Sequence, residues 1–77
     1  IMFGGSAVYA YTIPFARPFG SPPVVVASMA TAAGGTAQID VKAYNITNKD
    51  FGLAFITNDG SKPSGVPAIA NWIAVGV

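Results

Sequence analysis

The sequence predicts an all-β fold: a small antiparallel sandwich of about six short strands, forming one domain over residues 1–77. Three observations predict it. Side-chain character alternates with period two through almost the whole chain. Six prolines and nine glycines punctuate the apolar stretches. Where a helical turn is favoured by propensity, over Ala27 to Ala33, Gly34-Gly35 arrives too soon for a helix of useful length.

Taken in order, Ala7 to Ile13 alternates Val8, Ala10 and Thr12 with Tyr9, Tyr11 and Ile13, as a strand buried on one or both faces does. Pro14, Pro18 and Pro22-Pro23 then forbid regular structure up to Val24, so this segment runs extended with Phe15 and Phe19 turned inward as plugs. Val24 to Met29 starts β-branched behind two prolines and reads as a strand entered from an edge. Thr31 to Thr36 is expected to be a loop, since Gly34-Gly35 interrupts any helical turn. Gln38 to Tyr44 sets Ile39, Val41 and Ala43 against Gln38, Asp40, Lys42 and Tyr44, the pattern of an antiparallel strand with one wet face. Asn45 to Asp50 carries turn chemistry. Phe51, Leu53 and Phe55 then share one face, and Gly52, Ala54 and Ile56 the other. Asn58 to Pro67 reads as an exposed loop, and Ala68 to Val75 as the closing strand.

Composition excludes several functions. The chain has no histidine, no cysteine and only three acidic residues, all aspartates. A Ser-His-Asp site is therefore ruled out by inventory, and a structural zinc site lacks its usual histidine and cysteine ligands, so neither catalytic residues nor metals nor cofactors are expected. A glycosidase-like pair remains formally open if Asp40 or Asp50 approaches Asp59, against the simpler reading of solvated turn and edge carboxylates. The four basic residues, Arg17, Lys42, Lys49 and Lys62, are scattered, which argues against nucleic acid. No apolar run nears the ~20 residues of a membrane-spanning helix, so membrane insertion is not expected. Ile1-Met2-Phe3-Gly4 lacks the basic start and long apolar centre of a signal peptide, and the chain is expected to be the C-terminal domain of a longer polypeptide.

Only 9% of residues are charged against 52% hydrophobic, well below the ~25% charge usual for soluble domains. A domain this small buries only ~60% of its unfolded surface and has no disulfide to help. Both points favour an oligomer that covers its apolar surface, with a monomer clothed in Ser, Thr, Asn and Gly as the alternative.

For ligand binding, Asn58-Asp59-Gly60 stands out, because polar side chains on a loop held by two strands are where recognition residues gather; a plain Asx turn is the competing reading. Lys62 belongs to the same loop, and Gln38 and Asp40 are expected to contribute from the adjacent strand or from a neighbouring subunit. Trp72 suits a sugar-stacking platform, but between apolar neighbours in a strand it reads first as core or interface. Asn45-Ile46-Thr47 matches a glycosylation sequon and is read as structural.

Phe19 with Pro22-Pro23-Val24-Val25-Val26, the Thr47 to Phe51 turn and Trp72-Ile73-Ala74 resemble, in that order, the pattern of H-type lectins. Ile1-Met2-Phe3-Gly4 and Trp72-Ile73-Ala74-Val75-Gly76 also resemble the opening and closing elements of phage tail-fibre C-terminal tips of the same shape. The resemblance implies a homotrimer of six-stranded sandwiches with sugar sites between neighbouring subunits. It further implies an extracellular place on a virion tail fibre or tailspike, and a bacterial surface polysaccharide or lipopolysaccharide as partner. A secreted lectin and a purely structural trimerisation cap are the rival readings. Where these lectins direct an arginine at the sugar this chain has Gln38, and where they have tryptophan and histidine it has Asn58 and Asp59. These replacements count against N-acetylgalactosamine and leave general carbohydrate recognition.

Overall fold

The computed structural model describes the backbone of residues 1–32 and 39–77. Six strands run in the order β1 (Met2–Gly4), β2 (Val8–Pro14), β3 (Val24–Ala32), β4 (Ile39–Tyr44), β5 (Asp50–Thr57) and β6 (Ser64–Val75). They form two antiparallel three-stranded sheets, β1-β6-β3 and β2-β5-β4. The alternation read from the sequence decides which side chains lie between the sheets. Phe51, Leu53 and Phe55 of β5 are buried there with Phe3, Ile39 and Ala68.

The aromatic contacts tie the layers together. Phe15 stacks on Phe51 at 5.5 Å between ring centres, and Trp72 meets Phe51 edge-on at 4.9 Å. Phe19 packs edge-on against Phe15 at 5.0 Å, so the two phenylalanines of the proline-rich segment are the inward plugs expected of them. That segment is pinned by its backbone: Phe15 N donates to Lys49 O at 2.9 Å and Phe19 N to Asn48 O at 2.7 Å.

The element boundaries correct the sequence reading in two places and add one strand that it did not assign. Ile1-Met2-Phe3-Gly4 contributes a strand of its own, β1, whose Phe3 is fully buried and packs edge-on against Tyr9 at 4.9 Å. Thr31 and Ala32, expected in a loop, extend β3 and pair with Ile69 and Ala68 beyond a register shift after Met29. The remainder of that predicted loop lies outside the described residues. The predicted Asn58 to Pro67 loop ends earlier, because Ser64 to Pro67 begins β6. Pro67 fits inside that strand for a local reason. Ala68 N donates toward β1, to Ile1 O, so the nitrogen of Pro67 faces the β3 side, beyond the last described pair, Ala32 with Ala68.

The two outer faces differ in chemistry. On β1-β6-β3, Met2, Val24, Val26, Ile69, Ile73 and Val75 are exposed together with Ser28 and Asn71, and none of these is charged. On β2-β5-β4, the exposed outer positions include Thr12, Asp40, Lys42 and Tyr44.

Candidate functional site

The loop between β5 and β6 is built by its own polar groups. Asp59 accepts a hydrogen bond from Ser61 N on Oδ1 at 2.9 Å, closing an Asx turn that Gly60 completes with a left-handed φ of 74°. Thr57, buried at the end of β5, donates from Oγ1 to Ser61 O at 2.7 Å. The loop is thereby anchored to the sheet at its base. The Ser61 hydroxyl first, and its amide second, hold the Asp59 carboxyl below the usual aspartate value.

Asp40 and Asn58 come together across this loop. Asn58 Nδ2 donates to Asp40 Oδ2 at 3.4 Å, a long bond that links β4 to the end of β5. Asp40, Asn58 and Asp59 are all exposed, and so is Lys62. The structure thus brings Asp40 and Asn58 together at one end of the β2-β5-β4 sheet, with Asp59 and Lys62 on the loop that follows; Gln38 lies outside the described residues. Ser61 and Thr57, which shape the loop, escaped the sequence reading. The Asp-Gly-Ser turn pattern held the signal for Ser61, while Thr57 looked like any strand residue until its burial was known.

Asp50 lies at the other end of β5, whose eight residues span roughly 25 Å. Within one chain, that separation keeps Asp50 and Asp59 from sharing a two-carboxylate site, which needs oxygens within about 10 Å. Among the described residues no three acidic, histidine or cysteine side chains cluster as metal ligands would. Trp72 sets its ring against Phe15 and Phe51 and remains 41% exposed. Thr47 of the sequon organises the β4–β5 turn: its Oγ1 donates to Asp50 Oδ1 at 2.8 Å and accepts from the amides of Lys49 and Asp50 at 3.1 Å.

A family model described as the H-type lectin domain matches residues 10–75, from within β2 to the last residue of β6. No curated protein and no solved structure matches the chain.

Proposed function

The chain belongs to the H-type lectin family, and from that premise we propose that it is the tip domain of a phage tail fibre or tailspike, which trimerises and recognises a bacterial surface glycan. The uncharged, apolar outer face of β1-β6-β3 carries this reading. An isolated domain leaves Met2, Val24, Val26, Ile69, Ile73 and Val75 in water, whereas a homotrimer covers them. The two terminal motifs shared with tail-fibre tips both fall in this sheet, the first in β1 and the second in β6.

In this reading the exposed Asp40, Asn58, Asp59 and Lys62, joined by Gln38, form a shallow glycan site without enzymatic activity. The Asx turn holds Asp59 in place before any ligand arrives, which lowers the ordering cost of binding. Repetition around a threefold axis adds weak contacts by avidity.

Two measurements test it. Sedimentation at micromolar concentration is expected to give three times the 7.8 kDa chain mass. The double variant Asn58→Ala/Asp59→Ala is expected to remain trimeric, with a stability change of about 0.5 kcal/mol or less, and to lose attachment to host cells. Full attachment by that variant rejects the site and favours the structural cap.

A further inference from the structure

A cleft lies on the outer face of β2-β5-β4, at the opposite end of β5 from the Asn58–Lys62 loop. It has a volume of about 470 Å³ and is lined by Thr12, Tyr44, Thr47, Asp50 and Gly52, with Asn45 and Ile46 at the turn. Its centre is Gly52, flanked in register by Thr12 of β2 and Tyr44 of β4. The Tyr44 ring lies across that glycine. A Cβ on Gly52 would stand 2.6 and 2.7 Å from Tyr44 Cε1 and Cε2, so any other residue there would displace the ring. Gly52 is buried as a result, while Tyr44 remains 41% exposed.

We infer that this cleft is a second binding site, taking a neutral pyranose ring stacked on Tyr44. The chemistry follows from what the cleft presents. An aromatic ring held against the sheet by the absence of a side chain at Gly52 offers a flat apolar surface of fixed orientation, which suits the C–H face of a sugar. Around it stand hydroxyl, amide and carboxylate groups, which suit the hydroxyls of the same sugar.

The polar groups are also fixed in advance. Asn45 adopts a left-handed φ of 48°, and Thr47 N donates to Asp50 O at 2.9 Å, so the turn that carries them is closed. The Thr47 hydroxyl engages one oxygen of the half-buried Asp50 carboxylate, leaving the other to accept a hydrogen bond from a sugar hydroxyl. Asp50 is the one charged residue in the lining, so the cleft selects neutral sugars over acidic ones. This site does not depend on the Asn58–Lys62 loop, from which it is separated by most of the length of β5.

The test is amide-resolved NMR titration of the intact oligomer with methyl α-D-glucopyranoside, methyl α-D-galactopyranoside and N-acetylglucosamine, with glucuronic acid as the acidic counterpart. At least one neutral sugar is expected to shift the Tyr44, Asp50 and Gly52 amides saturably. Glucuronic acid is expected to bind about tenfold more weakly. Tyr44→Ala and Gly52→Ala, the first removing the platform and the second displacing it, are each expected to weaken binding by about tenfold or more. The Asn58→Ala/Asp59→Ala variant is expected to keep these shifts, which separates this site from the one proposed at the loop. Absence of saturable shifts with all three neutral sugars overturns the inference. So does an unchanged response in Tyr44→Ala, which would leave the tyrosine as a structural cover for Gly52.

Discussion

Replacing Ile73 by aspartate asks the apolar sheet a question that the monomer and the trimer answer differently. Ile73 is 60% exposed on the outer face of β6, opposite Val26 at 57%, with Val24, Val75, Ile69 and Met2 between 53% and 69% around them. These six side chains present about 100 Å² each, roughly 600 Å² in all, at the upper end of the patches that monomers expose. Covering that surface contributes about 15 kcal/mol per subunit at ~25 cal/mol per Å², enough to offset association costs of the order of 4–15 kcal/mol. In Ile73→Asp each subunit loses about 2.5 kcal/mol of burial and strands a carboxylate in an apolar contact at several kcal/mol more. Together these weaken each contact by roughly a thousandfold or more. An isolated chain keeps position 73 in water, where the substitution costs only about 1 kcal/mol of strand preference.

Analytical ultracentrifugation and concentration-dependent melting read the difference. The native chain is expected to run at three times its mass and to melt higher at higher concentration, while Ile73→Asp runs at the chain mass and melts independently of concentration. A variant that keeps the threefold mass would refute the assignment of this face, and a native chain that stays monomeric and soluble would refute the argument from apolar surface.

Core and turn make separate predictions. Phe51→Ala empties a fully buried site against Phe15 and Trp72 and is expected to cost about 3–5 kcal/mol, a large share of a small domain's stability; loss of sheet circular dichroism and a shift in the emission of the only tryptophan report it. The Asp59 carboxyl is expected to titrate below 3.8 in the folded chain and to move upward in Ser61→Ala, which removes the hydroxyl and keeps the amide bond, as followed by carboxyl-carbon NMR. Because its folded pKa is depressed, the stabilisation it lends the turn is complete above the unfolded value and disappears as pH falls through the folded one. An Asp59 midpoint unmoved by Ser61→Ala would show that the hydroxyl is not the main cause.

Local pattern made much of this fold legible. The period-two alternation at Phe51, Leu53 and Phe55 names the buried face of β5 without reference to any partner, because successive side chains in a strand must point to opposite sides. The prolines and the Asn45–Asp50 turn likewise act through their own backbone. The Asx turn at Asp59 was readable for the same reason, since its bond spans only two residues.

Long-range pairing was not legible. Met2 to Gly4 is too short to carry a periodic signal and becomes a strand only because β6 offers it a partner sixty or more residues away. Ser64 to Pro67 looks like loop by composition, and pairing with β1 overrides that preference. The two candidate sites show the same division. Asp40 and Asn58 meet because β4 and β5 pair in one register, and the Tyr44 platform exists because that register sets Tyr44 opposite Gly52. Sequence by itself determined the all-β class, the inward faces and the turns, where the causes are local. Tertiary structure decided which strands are neighbours, and with it which side chains from distant segments share a surface, because register is fixed only when both partners are in place.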